Sequence, residues 1–367
     1  MKIFLLNVIF LLFISFLAKA NEFPLDPNIT YGKLDNDLTY YVRENRKPKD
    51  KAYIKMVIKA GSVMEEDHQQ GLAHLLEHMA FNGSKNFPKR SIDEFMSSIG
   101  LNIGTHYNAT TGFFTTNYEY EIPTNDPKNL ETVIKIFADI LKNLSLEDDA
   151  FERERKIVEE EWRGDIGAEK KYSEAFYKVT HKDSLLEKRL PIGKIEVIRN
   201  FKYQDVIEFY EKWYQPEITA LFVAGDVDTN KIIKLIEDNF SSFKNSAELD
   251  IPDYSIPDFN NNRFISYQDK DFEDVIFSIW VKHPFQKMNN FRNYKDKAID
   301  TLIFQIIQRR INEQIEKDQL NFITAVVYSR EISNLNEYKI SAVSLNEKNV
   351  NEGITDFLRV IEQINRH

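Results

Sequence analysis

The chain has 367 residues, and its 48 lysines and arginines are outnumbered by 58 aspartates and glutamates, which gives a formal net charge of −10 at pH 7. This excess of acid argues against a nucleic-acid-binding protein and against docking on an anionic membrane surface. The chain has no cysteine, so disulfides are excluded and stability must come from apolar cores, for which the length permits two domains.

The first twenty residues differ in composition from the rest. A basic start precedes an apolar run over residues 3–17, and Ala18-Lys19-Ala20 matches a small-x-small cleavage site. We predict a secretory signal peptide over residues 1–20, because the run is shorter than the ~20 apolar residues of a membrane-spanning helix. An uncleaved anchor is the alternative. Cleavage leaves no stable membrane anchor, so we expect a periplasmic or secreted protein.

The next two hundred or so residues mix strand and helix patterns. In chain order, the predicted elements are strands within 28–60 with a turn at 35–37, a helix from Gln70, a helix over 88–99 capped by Ser91, strands over 101–123, helices over 128–143, 147–177 and 203–213, a strand over 219–224 and a helix over 229–239. Within the run 113–120, alternate residues should face opposite sides of a strand.

A polar segment over 246–262 contains Pro252 and Pro257 and predicts a linker. It divides the mature chain into a first domain over 21–245 and a second domain over 263–367. The second domain is predicted to be another α+β unit. Its predicted strands cover 264–267, 275–282, 324–328 and 338–344, and its predicted helices cover 291–317 and 350–364.

The helix from Gln70 carries the sequence His74-Leu-Leu-Glu77-His78. Histidines four residues apart lie about 40° apart around a helix and about 6 Å apart along it, so their imidazoles can converge on one ion. Glu77 lies near the same face, where a carboxylate could polarise a metal-bound water. His-x-x-Glu-His is a zinc-hydrolase pattern. The alternative is a pair of ordinary histidines on an amphipathic helix.

A third ligand must come from elsewhere, because a catalytic zinc usually takes three protein ligands and leaves one position for water. An acidic helical segment supplies candidates. Glu154 and Glu161 lie two helical turns apart and face the same way. A solvated acidic face is the alternative, although Ile157 and Val158 indicate that one side turns inward. From the residues alone, Glu159–Glu161 all remain candidates.

These motifs resemble the inverzincin zinc peptidases, the family of pitrilysin, insulysin and the mitochondrial processing peptidases. His-x-x-Glu-His is followed further along by Glu-Arg-x-x-Val-x-x-Glu. Other matches to the bacterial periplasmic members are, in the family's order, 108–111, 189–193, 213–216 and 223–226. The resemblance implies an α+β protein with two consecutive α/β-roll units, each an antiparallel sheet flanked by helices, of the metallopeptidase LuxS/processing-peptidase type.

At the matching positions, the resemblance implies that His74, His78 and Glu161 hold one Zn²⁺ per chain in the first domain, with Glu160 as the alternative third ligand. Glu77 would be the general base that takes a proton from the water. Glu154 would orient the ligands without binding the ion.

The resemblance also assigns Asn108 and Ala109 to a sheet edge that binds the peptide substrate by adding it as a strand. His106 lies nearby in the sequence and is a further candidate for substrate contact.

Enzymes of the family resemble a clam shell of four α+β units, and the matches here extend over two. We therefore expect a zinc endopeptidase that cleaves peptides or small unfolded proteins, with a C-terminal half or second subunit as the partner that closes the chamber. The alternatives are a non-catalytic peptide-binding or assembly subunit and an unrelated zinc hydrolase such as an amidase.

Overall fold

The computed structural model describes residues 24–246, 248–317, 320–333 and 335–366. The predicted signal peptide lies outside these residues. The chain divides into two compact units, one over Asp26–Ile265 and one that contains the residues from Ser266 onward. Within the described ranges, no helix has both the length and the hydropathy of a membrane span.

The first unit is built on a six-stranded sheet with the strand order β1-β2-β6-β3-β5-β4. Its strands are β1 Ile29–Lys33, β2 Thr39–Glu44, β3 Lys51–Ile58, β4 Tyr107–Thr111, β5 Thr116–Pro123 and β6 Thr219–Gly225. Neighbouring strands are antiparallel except β2 and β6, which are parallel. The antiparallel sheet expected from the sequence therefore contains one parallel pair, because β6 returns after several helices and inserts between β2 and β3.

The helices of this unit are α1 Leu72–Met79, α2 Ser91–Ser98, α3 Pro127–Lys142, α4 Asp148–Gly164, α5 Ala168–Thr180, α6 Leu185–Lys188, α7 Ile195–Ile198, α8 Tyr203–Trp213 and α9 Thr229–Phe240. The predicted helix over 147–177 is two helices, because glycines at 164 and 167 favour a break between α4 and α5. Ser91 is not the cap of α2. Arg90 occupies that position in a left-handed conformation, and the Ser91 hydroxyl donates to the Pro88 carbonyl at 2.6 Å.

The two faces of this sheet differ in chemistry. Along β5, Thr116, Tyr118 and Tyr120 are buried, which confirms the predicted alternation, and Met56 of β3 pairs with Tyr118 on the same face. The opposite face carries ion pairs between lysines of β3 and glutamates of β5, among them Lys51–Glu121 and Lys55–Glu119. The buried face packs against helices, with α3 on β5 and α1 on β4, and this packing fixes the position of α1.

The second unit has a three-stranded antiparallel sheet with the order β7-β9-β8. Its elements are β7 Val275–Pro284, α10 Phe291–Lys317, β8 Phe322–Glu331, β9 Asn336–Leu345 and α11 Val350–Arg366. Its core is small and is centred on Ile311, Phe322, Val343 and Phe357. The predicted strand over 264–267 is absent, and Phe264 is 82% exposed.

The second unit resembles part of the first, since the strand order β7-β9-β8 corresponds to β3-β5-β4. The single helix α10 follows β7, whereas the two helices α1 and α2 follow β3. In the first unit, the other edge of β3 pairs with β6. Among the residues described for the second unit, no strand pairs with the matching edge of β7. Apolar side chains are exposed there and on α10, including Ile276, Val281, Leu302 and Ile306.

Candidate metal centre

Helix α1 presents two histidines beside a carboxylate because its apolar side is anchored in the core. Leu72, Leu75, Leu76 and Met79 are fully buried. The intervening positions therefore turn away from the core toward α4, and the side chains of His74 and His78 keep 19% and 18% of their surface.

Three ligand atoms converge between α1 and α4. The Nε2 atoms of His74 and His78 lie 3.3 Å apart, and each lies 3.6 Å from Oε2 of Glu161. A tetrahedral zinc ion with bonds of about 2.0–2.1 Å holds its ligands about 3.3–3.4 Å apart. The donor set and its spacing therefore fit one zinc ion. Glu160 points elsewhere, with its side chain 70% exposed and paired with Arg163.

The predicted orienting residue, Glu154, contacts the other side of His78. Its Oε2 lies 3.3 Å from Nδ1 of His78, and its Oε1 accepts a hydrogen bond from Nδ2 of Asn82 at 2.9 Å. The same Asn82 group donates to the carbonyl of His78 at 3.2 Å. A carboxylate on Nδ1 leaves Nε2 free to bind a metal and fixes the ring orientation.

Glu77 lies on α1 between the histidines and is 8% exposed. Its Oε2 accepts a hydrogen bond of 2.6 Å from the hydroxyl of Thr111, at the end of β4. Burial raises the pKa of the Glu77 carboxyl, although the Thr111 hydrogen bond lowers it in part. A raised pKa makes this carboxylate a stronger base than a freely exposed glutamate, which suits a group that accepts and then returns a proton.

The pKa values of the two histidines shift in opposite directions. Burial, together with the neighbouring His78, lowers the pKa of His74 to about 4, so this imidazole is neutral at pH 7 as a metal ligand must be. Burial also lowers the pKa of His78, but the hydrogen bond with Glu154 and the charge of Glu161 outweigh it and raise the pKa overall. A metal ion and a proton would therefore compete for this imidazole.

The two predicted substrate residues lie on β4, which is the last strand of the sheet and pairs with β5 on one side. The Glu121 N–H donates to the carbonyl of His106 at 2.7 Å. In an antiparallel ladder such bonds recur at alternate residues, so Asn108 bonds toward β5 while the backbone N–H and C=O of Ala109 point away from it. His106 accepts a hydrogen bond from the backbone of Asn102.

Sequence reasoning missed four side chains that surround this centre. Thr111, Asn82 and Glu65 act through hydrogen bonds to Glu77, Glu154 and the start of α1, respectively. Arg189 holds the backbone of Glu65. Thr111 and Arg189 belong to segments that matched the family, which was the one signal available for them, and nothing in the sequence singled out Asn82 or Glu65.

Two family models match most of this chain, and several known proteins are similar to it. The family model described as insulinase (peptidase family M16) matches residues 40–190, and the model described as peptidase M16 inactive domain matches residues 200–367. The probable zinc protease PqqL of Haemophilus influenzae is 34% identical over 256 residues, which cover 69% of this chain and 28% of that protein. The probable zinc protease PqqL of Escherichia coli is 29% identical over 321 residues, or 88% of this chain and 34% of that protein.

The fold is also similar to that of a solved structure. The crystal structure of the periplasmic protease PqqL from Escherichia coli superposes with a TM-score of 0.89 at 27% identity, over 94% of this chain and 38% of that one. The chain thus spans about a third of the length of these relatives. The α+β fold predicted from the sequence is confirmed. Since the two family models together match most of the residues, the chain belongs to the insulinase (M16) family of peptidases.

Proposed function

We propose that this chain is the zinc-binding half of a periplasmic or secreted endopeptidase that cleaves peptides or small unfolded proteins. One observation carries the proposal: His74, His78 and Glu161 bring three ligand atoms to zinc spacing beside the buried carboxyl of Glu77. The relatives named as zinc proteases support the same reaction class.

In this mechanism His74, His78 and Glu161 would hold one zinc ion per chain, and Glu154 would orient the ring of His78. When bound, zinc supplies Lewis acidity that polarises the peptide carbonyl and lowers the pKa of water. Glu77 takes a proton from the attacking water and returns it to the nitrogen of the leaving amine. The Thr111 hydroxyl holds the Glu77 carboxyl in place for both transfers.

The substrate would bind as an added strand along β4. The outward N–H and C=O of Ala109 offer a donor and an acceptor to an extended peptide, and the exposed side chain of Asn108 flanks them. Thr111 ends the same strand and contacts Glu77. A peptide lying along β4 would therefore run toward the general base.

The predicted location and partner are also proposals. The residues 1–20 have a signal-peptide pattern, and the Escherichia coli relative is described as periplasmic. A second polypeptide half, on this or another chain, would complete the chamber. The exposed apolar side chains of β7 and α10 support the need for further polypeptide around the second unit.

The experiment compares cleavage of an unstructured fluorescence-quenched peptide by residues 21–367 and by the Glu77→Gln variant. The variant keeps the shape of the site and its zinc ligands but removes the proton acceptor. Cleavage that a chelator abolishes and the variant lacks would establish a self-sufficient zinc peptidase. If both proteins bind zinc and neither cleaves, the site requires the missing half.

The alternative function is a non-catalytic peptide-binding or assembly subunit. The close approach of His74, His78 and Glu161 beside the buried carboxyl of Glu77 disfavours this alternative. A subunit that only binds peptide needs no buried carboxyl next to three candidate metal ligands. Peptide binding along β4 without zinc binding would favour this alternative.

A further inference from the structure

Helix α1 has eight residues and is too short to be stable in isolation, so its position depends on what holds its ends. At the C-terminal end, Asn82 donates hydrogen bonds to the His78 carbonyl and to Glu154. At the N-terminal end, the carboxyl of Glu65 accepts hydrogen bonds from the backbone N–H groups of Gly71 and Ala73, at 3.1 and 2.9 Å. These are N–H groups that the helix itself leaves without a partner.

Glu65 is itself fixed by a segment more than 120 residues away. Nε of Arg189 donates to the Glu65 carbonyl at 2.9 Å, and a second guanidinium nitrogen donates to Asp67 at 2.7 Å. The hydroxyl of Ser62 donates to the Arg189 carbonyl at 2.6 Å. Four residues later, Gly193 packs its backbone against Gly71. We call Glu65, Arg189 and Gly193 the seat of α1.

The seat holds His74 more directly than it holds His78. His74 is the third residue of α1, within the turn that Glu65 holds, whereas His78 is anchored at the opposite end through Asn82 and Glu154. Metal sites tolerate deviations of only about 0.2 Å in ligand distance. A small tilt of the first turn would therefore displace His74 from the ion and leave His78 in place.

We propose that Glu65 is a positioning residue whose carboxyl group fixes the first turn of α1 and thereby holds His74 at the distance from His78 and Glu161 that one metal ion needs. The inference rests on the proposed zinc site. It requires a carboxyl group because the Gly71 N–H bonds to one side-chain oxygen and the Ala73 N–H to the other. An amide of the same size replaces one of these oxygens with an NH₂ donor.

Stability alone does not account for a carboxyl at this position. Glu65 is 4% exposed, and Arg189 hydrogen-bonds its backbone carbonyl. Burying a carboxyl group costs more free energy than burying an amide of the same shape. A side chain selected only for packing would therefore favour glutamine or an apolar residue.

The test introduces Glu65→Gln into residues 21–367. The matched control is Asp67→Asn, which changes a side chain in the same loop but leaves both carboxyl oxygens of Glu65 in place. Zinc affinity is measured by competition with a chromophoric chelator. Amide hydrogen exchange over 71–79 is measured in the metal-free proteins. We expect zinc affinity to fall 10- to 100-fold in Glu65→Gln, with exchange accelerated in the first turn of α1 and not in the last, and no change in Asp67→Asn.

An affinity of Glu65→Gln within about threefold of the wild type, well short of the 10- to 100-fold loss such partners produce, would overturn the proposal. If the wild type binds no zinc, the proposed function fails, and the hydrogen-exchange data alone test the role of Glu65. Faster exchange in the first turn of α1 in Glu65→Gln supports that role, and unchanged exchange refutes it. If Glu65→Gln does not fold, Glu65→Asp, which keeps both oxygens on a shorter side chain, is measured against the same limits.

Discussion

Gly193 lies where the backbone of one loop touches the start of α1, the helix that carries His74 and His78, and the substitution Gly193→Ala tests how much that contact matters. Gly193 has φ +74°, and a Cβ there would lie 2.4 Å from the carbonyl oxygen of Gln70 and 2.5 Å from Cα of Gly71. The left-handed conformation costs about 1–2 kcal/mol for alanine. The overlap with backbone atoms, which cannot rotate away, adds about 1–3 kcal/mol. We expect a total loss of about 2–5 kcal/mol.

Gly104→Ala provides the matched control, because Gly104 has φ +79° and no atom within 4 Å of the added Cβ. It should lose only the conformational part, about 1–2 kcal/mol. The assay is urea unfolding followed by tryptophan fluorescence in a Trp280→Phe background. The remaining tryptophans, Trp162 and Trp213, lie in the unit that contains Gly193.

The two variants should differ by the overlap part alone, about 1–3 kcal/mol. With a urea slope of about 2–3 kcal/mol per M, this is a midpoint difference of about 0.3–1.5 M. Equal midpoints for Gly193→Ala and Gly104→Ala would refute the reasoning. That result would mean that the loop relaxes without cost and that the close approach to Gly71 contributes nothing to stability.

Three further outcomes are expected. Glu154→Gln should weaken zinc binding about 10- to 100-fold in a chelator competition, because His78 loses a charged partner, whereas the solvent-facing Glu160→Gln should not. Burial raises the pKa of Glu65 to about 8, so folding takes up a proton between about pH 4.5 and 8. The contribution of Glu65 to the free energy of unfolding should therefore fall as pH rises through that window, by up to about 1.4 kcal/mol per pH unit. The decline should be smaller in urea titrations of Glu65→Gln. Asp139→Ala should lower the free energy of unfolding by about 3 kcal/mol or more in thermal melts, because this buried carboxylate accepts four hydrogen bonds whose donors would lose their partner.

The features that the sequence predicted are those set by local periodicity. The spacing of His74 and His78, and of Glu154 and Glu161, places each pair on one side of its own helix. Each pair could therefore be predicted without knowledge of the tertiary structure. The contact between the two helices is not local, and it was inferred through the family resemblance.

The features that sequence reasoning missed depend on distant contacts between common residue types. Thr111 lies 34 residues from Glu77, and Asn82 lies 72 residues from Glu154. Threonine and asparagine are frequent in loops and strand ends, so their presence carries no signal until the fold brings a carboxylate to them. The break between α4 and α5 was signalled by Gly164 and Gly167, and good helix-forming residues on both sides obscured it.

The insertion of β6 between β2 and β3 has a consequence for the order of folding. Among the described strands, β1 and β2 reach the rest of the sheet only through β6, which begins at Thr219. A chain that emerges from the ribosome can therefore form the β1–β2 hairpin and the β3-β5-β4 sheet early, but the two cannot join until more than half of the polypeptide is available. Such non-local closure slows folding, and slow closure would keep the chain open during the export that the sequence pattern over residues 1–20 predicts.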